Sequence, residues 1–306
     1  MAKHSPARRR FDRLIGYRLE AVAVILLTGL FRRLPLDTAS ALGGRLARWV
    51  GPRLGSSRKT LERIRLALPP LTEGEARRVL ADSWENLGRT LAEYVHLDSL
   101  RAGWAARVTM TGAEHVAALA ADGRPGVTIT GHFANWELAG IACAVHGLPL
   151  TFVYREPNNP HVARRLAAAR AALGGSMVPK GRQAARGLIT ALRAGGHAGL
   201  LIDQKLNEGI ELPFLGRPAM TGTVMADLAL KFDAPVVPIR VTRLRDAKGR
   251  LTARFRVEAF PPLDLTGLDQ GPDGVATAMG IAHTLLESWI RDEPGQWMWQ
   301  HRRWKD

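Results

Sequence analysis

An α/β protein is what this sequence predicts: a largely parallel, mixed sheet flanked by helices, preceded by a helical N-terminal portion. Three observations carry that expectation. Beyond Val108, short β-branched and apolar runs alternate with stretches of helical period, as βα units around a parallel sheet do. Between Leu42 and Leu100, apolar residues recur every three or four positions, which marks helix faces. Ahead of both, an uncharged, mostly apolar run from Ala21 to Phe31 lies between basic residues up to Arg18 and the pair Arg32-Arg33.

The N-terminal run has eleven residues. As a helix it covers roughly 16 Å at about 1.5 Å per residue, whereas a bilayer core takes about 20 residues to cross. The segment therefore reads as a short, interfacial or half-inserted membrane-interacting helix, with basic groups at anionic headgroups and apolar side chains in the acyl boundary. A buried core helix and a secretory signal cleaved near Ala39-Ser40-Ala41 are the competing readings. Helical faces follow at Leu46, Trp49 and Val50, at Leu61, Ile64 and Leu68, and at Val79, Leu80, Trp84, Leu87 and Leu91. Pro69-Pro70 separates two of these, and Thr72 with Glu75 has the spacing of a capping box.

Strands are expected over 127–130, 150–154, 199–202 and 236–241, with helices over 137–146, 161–173, 183–192 and 224–232. Lys248-Gly249 turns the chain into a hairpin partner over 251–257, and a last helix spans about 275–290. No repeat or linker interrupts this, so the chain divides into a membrane-associating segment, 1–40, and one α/β domain, 41–306.

The charge is the compositional outlier. Lys and Arg number 43 against 28 Asp and Glu, a net +15. Such a balance suits an anionic partner: a membrane surface, an acidic protein, an acidic substrate or nucleic acid. The basic residues are scattered among apolar segments, and no zinc-finger or RNA-binding aromatic spacing accompanies them, which argues against nucleic acid. One cysteine, Cys143, permits neither an internal disulfide nor a thiolate metal site. There is no G-x-S-x-G elbow, no phosphate-binding loop and no H-E-x-x-H pair. Covalent catalysis and metal chemistry thus find little support.

The informative stretch is Thr128–Gly147, where an apolar run reaches Gly131-His132 and a helical pattern opens at Asn135-Trp136-Glu137. Residues five apart lie about 140° around a helix, so His132 and Glu137 cannot share a helical face. With His132 in the strand–helix turn and Glu137 on the first helical turn reaching back, the carboxylate can accept the Nδ1 proton and leave Nε2 as a base. The alternative is a structural turn histidine, with Asn135 capping the helix and Trp136 packing.

His132-Phe-Ala-Asn-Trp-Glu137 resembles the H-x4-[DE] signature of glycerolipid acyltransferases, and its Asn-Trp-Glu wording resembles the late acyltransferases of lipid A biosynthesis. The resemblance continues through Val153–Pro160, Arg170 and Gly174, Ile202-Asp203-Gln204, Leu212–Thr221, Pro235–Ile239 and Gln296–Lys305. Tyr17–Glu20 and Arg33–Asp37 match as well, so nearly the whole chain is covered. The resemblance implies an acyltransferase at the cytoplasmic face of an inner membrane that moves a fatty acyl chain to a hydroxyl of a lipid A precursor. It makes His132 the general base and Glu137 its orienting partner.

By the same resemblance Arg155 and Arg170 bind anionic groups or the tetrahedral oxyanion, as a guanidinium fork suits. Asp203 and Gln204, at a strand end, contact substrate, and Thr221 belongs to a loop with Gly216 and Pro218 that positions it. No metal or resident cofactor is implied. The co-substrate is the thioester of acyl carrier protein, an acidic protein that suits the +15 charge, or of CoA. Two departures stand out: Glu156 sits beside Arg155, and Lys205-Leu206-Asn207 follows Asp203-Gln204 where an acidic and aromatic continuation is more usual. Another glycolipid or phospholipid acceptor, hydrolysis through the same dyad, and non-enzymatic binding of anionic lipid or nucleic acid are the alternative functions.

Overall fold

A computed structural model describes residues 16–154 and 157–305, with the Arg182 side chain also left aside. Among the described residues six α-helices come first: α1 (Tyr17–Arg33), α2 (Leu36–Val50), α3 (Gly55–Ala67), α4 (Glu73–Glu93) and the short α5 (Leu97–Ala102) and α6 (Trp104–Arg107). The α/β portion runs β1 (Val108–Thr111), α7 (Ala113–Ala121), β2 (Gly126–Thr130), α8 (Glu137–Val145), β3 (Leu150–Tyr154), α9 (Pro160–Arg170), β4 (Ser176–Pro179), α10 (Arg182–Arg193) and β5 (His197–Leu201). A hairpin of β6 (Lys205–Phe214) and β7 (Arg217–Thr221) follows. The chain then makes α11 (Val224–Phe232), β8 (Val236–Arg245), β9 (Leu251–Ala259) and α12 (Pro272–Asp292).

Seven strands form one sheet in the order β1-β9-β8-β2-β5-β3-β4. Every pairing in it is parallel except β8 with β9, which is the mixed, largely parallel sheet expected. Central strands are buried on both faces: all five residues of β2 are inaccessible, as are the first eight of β8. Burial on both faces suits the unbroken apolar run over 236–239, while Arg240 and Arg243 farther along β8 are buried with the carboxylates of Asp292 and Glu93 as partners. Strand β5 lies between β2 and β3, so the chain crosses over it on the way from β2. Such a crossing leaves a crevice at the carboxyl ends of β2 and β5.

The helical N-terminal portion packs through α4, whose capping box forms as its spacing predicts: Glu75 N–H donates to the Thr72 hydroxyl, and Thr72 N–H donates to the Glu75 carboxylate at 2.8 Å. Helix α1 is longer than the apolar run, at 17 residues. Among the described residues, no helix is long and apolar enough to cross a membrane. Its outward face nevertheless exposes Leu19, Val22, Leu26, Leu27 and Leu30.

Strands β1 and β4 and the β6–β7 hairpin are additions to the expected elements. The last replaces the loop around Gly216: Leu215 and Gly216 both have positive φ, 50° and 71°, the two-residue turn whose twist suits a hairpin. The Trp297, Trp299 and Trp304 side chains are buried together with Arg303. The end of the described chain is thus a packed tail.

Candidate active site

His132 stands in the loop that follows β2, and Asp203 in the loop that follows β5. The two strands are paired in parallel with Thr130 opposite Leu201, so residues two positions beyond each come side by side. The ladder carries on for one step, with Ile202 N–H donating to the Thr130 carbonyl at 3.1 Å. His132 Nδ1 then donates to Asp203 Oδ1 at 2.8 Å, and the His132 backbone N–H donates to Oδ2 at 2.7 Å. Trp297 Nε1 donates to the same Oδ2 at 2.8 Å. Gly131 permits the approach, since a Cβ there would lie 2.7 Å from the Phe133 ring and 3.1 Å from Asp203 Oδ2.

The Asp203 carboxylate is wholly buried, and burial alone would raise it. The His132 charge and hydrogen bonds, the more distant His301 and the His132 backbone N–H overcome that and hold it well below the usual carboxylate range. With Nδ1 donating to Asp203, Nε2 of a neutral His132 is left as an acceptor. The Gln204 amide donates to it at 3.2 Å. The imidazole is 5% exposed and packs edge-on to Trp136, with ring centroids 4.9 Å apart.

Here the structure departs from the sequence expectation. Glu137 does not reach back to His132. Its Oε1 accepts from Arg170 Nε at 3.1 Å and Nη2 at 2.7 Å, and from the Tyr94 hydroxyl in a short bond. Arg170 Nη2 also lies 3.2 Å from the Tyr94 oxygen. The reason is directional: Glu137 opens α8 and projects toward the end of α9, while the imidazole's Nδ1 turns toward β5. Burial would lower the Arg170 guanidinium, but Glu137 and Tyr94 raise it overall; burial and Glu137 raise Tyr94.

Glu137 and Arg170 stand at one wall of a cavity of about 70 Å³ enclosed by β2, β3, β5 and α8. Its remaining walls are mostly apolar, including Ile129, Leu150, Phe152 and Leu173. Two glycines shape it. A Cβ on Gly140 would lie 2.5 Å from Leu173 and 2.8 Å from Phe152, and one on Gly199 would lie 2.6 Å from Phe152. The Phe152 ring therefore occupies room that only glycines leave.

A buried polar network fixes the His132 loop from behind. Ala134 has φ 46°, a left-handed conformation that is strained for a residue with a Cβ. Its carbonyl accepts from Asn86 Nδ2 at 3.2 Å and from the Thr90 hydroxyl at 2.8 Å, and its N–H donates to Gln296 O at 2.9 Å. Phe133 bridges to Trp297, and Met298 N–H donates to His132 O at 3.0 Å. Asn135 Nδ2 donates to Glu93 Oε2 at 2.9 Å, and Glu93 is also ion-paired to Arg243 with neither side chain exposed.

The other expected site residues fall as follows. Arg155 lies outside the described residues. Asp203 and Gln204 are at the site, Asp203 as the partner of His132. Thr221 is not at a substrate surface: it is buried, its hydroxyl donates to Ala219 O at 3.0 Å and accepts from Arg303 Nη2 at 2.7 Å. It fastens the hairpin to the tail instead. Arg303 also donates to Met220 O at 2.8 Å and lies 3.2 Å from His283 Nε2. Burial and the Arg303 charge bring His283 down to about 4, and burial brings His301, whose ring centroid is 5.8 Å from that of His132, down to about 4. Sequence spacing gives no sign of Asn86 or Tyr94 at this site, and only the block Gln296–Lys305 points toward Trp297. Cys143 is buried with its thiol pushed up to about 12 by burial, a packing residue. Among the described residues no group of His, Cys, Asp or Glu could hold a metal ion.

Known proteins give this arrangement a context. The family described as bacterial lipid A biosynthesis acyltransferase matches residues 8–306. The lipid A biosynthesis lauroyltransferase of Escherichia coli (strain K12) is 29% identical over 250 residues, 79% of this chain and 76% of that protein. Among solved structures, the 1-acyl-sn-glycerophosphate acyltransferase of Thermotoga maritima aligns over 92% of this chain and 99% of its own, with TM-score 0.41 and 11% identity. That last likeness is too distant to bear on the site.

Proposed function

This chain belongs to the bacterial lipid A biosynthesis acyltransferase family, and on that footing we propose how it works: His132 is the base and Asp203 its orienting carboxylate in direct transfer of an acyl chain from a thioester to a hydroxyl of a lipid A precursor. The single observation that carries the reading is the Asp203–His132 pair, whose Nδ1–Oδ1 contact of 2.8 Å leaves Nε2 as the acceptor, met by the Gln204 amide. The acceptor hydroxyl displaces the Gln204 amide and gives its proton to Nε2 as its oxygen bonds to the thioester carbonyl carbon. The carbon–sulfur bond then breaks, and the departing thiolate takes the proton from His132.

The developing oxyanion needs donors already in place. Arg170 commits Nε and Nη2 to Glu137 and Tyr94, which leaves Nη1 for that oxygen, and the displaced Gln204 amide is a second donor. Glu137 is then the residue that aims Arg170. At about 70 Å³ the apolar cavity behind Glu137 and Arg170 has room for a short stretch of the donor's acyl chain, with Phe152 packed against Gly140 and Gly199. An acidic acyl carrier protein suits the +15 charge as donor. The exposed leucines of α1, beside Arg32 and Arg33, suit a membrane surface, and the proposed reaction would place that work at the cytoplasmic face of an inner membrane.

The test is acyl transfer from a labelled carrier thioester to a lipid A precursor in detergent. Wild type forms acylated product, while His132→Ala and Asp203→Asn lose it almost completely and Glu137→Gln loses less. Product that survives both of the first two substitutions sinks the pair, and fatty acid released without acceptor-dependent product shows hydrolysis instead.

A further inference from the structure

We propose that the groove between α1 and α9 seats an acyl chain of the lipid acceptor, with an anionic group of that lipid at Arg165. This rests on the acyl-transfer reading above. The groove holds about 440 Å³ and is lined by small side chains, among them Thr28, Gly29, Ala168, Ala169 and Ala172. Small residues leave it empty: a Cβ added at Gly29 meets nothing within 4 Å. It is also held open. At one end Asn159 Nδ2 donates to Tyr17 O at 2.8 Å and to Glu20 at 3.0 Å. At the other, Arg32 pairs with Asp98, and His96 Nε2 bonds Phe31 O at 3.0 Å. These polar ties fix both ends of α1 beside the groove.

Chemistry and position select the occupant. The outward face of α1 is apolar and exposed, Leu26 to 68%, so a chain entering from a bilayer passes from lipid to groove without meeting water. Of the two arginines that line the groove, Arg32 is neutralised by Asp98, and Arg165 makes no ion pair among the described residues. A cation with no ion pair among the described residues, in a slot beside the exposed apolar face of α1, suits an anionic headgroup. An acidic protein would need several. The floor is Tyr94, whose hydroxyl bonds Glu137, so a single layer of side chains separates this groove from the cavity given to the donor chain.

The test is protection from alkylation, in the full chain and in detergent. Ala169→Cys places a thiol in the groove, Leu26→Cys places one on the outer face of α1, and the buried Cys143 stays unreactive to maleimide. A phosphorylated lipid A precursor slows labelling at the groove position at least tenfold and leaves the outer position unchanged, and phosphatidylglycerol at the same mole fraction slows neither. Equal protection by both lipids marks a boundary-lipid surface and overturns the proposal, as does no protection. In the transfer assay, Gly29→Leu fills the groove and raises the acceptor KM about tenfold with kcat within threefold of wild type; an unchanged KM overturns it. Protection in a protein that makes no acylated product defeats the reaction and leaves the groove standing.

Discussion

Two buried carboxylates flank the loop after β2, and they hold opposite kinds of partner. Asp203 takes its hydrogen bonds from the imidazole, the indole of Trp297 and a backbone N–H, so its full negative charge faces His132. Glu137 meets the guanidinium of Arg170 and a phenol, so its charge is already balanced and has little left for a base. Nearness along the chain favoured Glu137; the sheet register favours Asp203. A carboxylate orients a base only if the base is its principal cation.

The sharpest test is a paired substitution. Asp203→Asn lowers kcat about 10³- to 10⁴-fold, the scale seen when a base loses its orienting carboxylate, while Glu137→Gln lowers it roughly tenfold to a hundredfold. Steady-state kinetics of acyl transfer decide it, and the reverse order would restore Glu137 as the orienting group. A third carboxylate, Glu93, does neither job. Replacing it by Gln strands Arg243 and costs on the order of 3–5 kcal/mol of stability, read by urea unfolding, with kcat of the surviving folded enzyme lowered far less than by Asp203→Asn.

On the Glu137 side, Phe152→Ala enlarges the donor cavity and shifts preference toward longer acyl chains by about tenfold, roughly 1.4 kcal/mol. Competition between thioesters of different chain length reads it directly. The smallest effect is on pH. His283 and His301 are depressed to about 4 from an unfolded value of 6.5. A depressed histidine lends stability that is fully present above the unfolded value and lost as pH falls from about 6.5 through 4. Melting temperature therefore declines across that window, and His283→Gln flattens the decline by roughly 1–2 kcal/mol at pH 5, at about 1.4 kcal/mol per unit.

Much of this was readable from the residues alone. Strand β3 and α11 begin and end where the apolar runs predict, because buried parallel strands and amphipathic helices write their period into the chain. Strands β1 and β4 did not show themselves, being four residues each and partly exposed. The hairpin of β6 and β7 was hidden by Pro213 and Pro218, which sit opposite one another where proline usually argues against a strand. His132 was found by its local motif. Its partnership with Asp203 was not, since it depends on Thr130 meeting Leu201 across the sheet, a long-range register that no spacing encodes. Tyr94 and Trp297 were missed for the same reason.

The Trp297 contact carries a further consequence, for the order of folding. The imidazole is set only when segments 71 and 94 residues apart meet, His132 with Asp203 and Asp203 with Trp297. Contacts of such separation form late, after local helices and turns. Catalytic competence is therefore a clock on the last stage of assembly: in refolding, circular dichroism recovers with the helices, and activity returns only with the slowest phase, when the indole closes over the carboxylate.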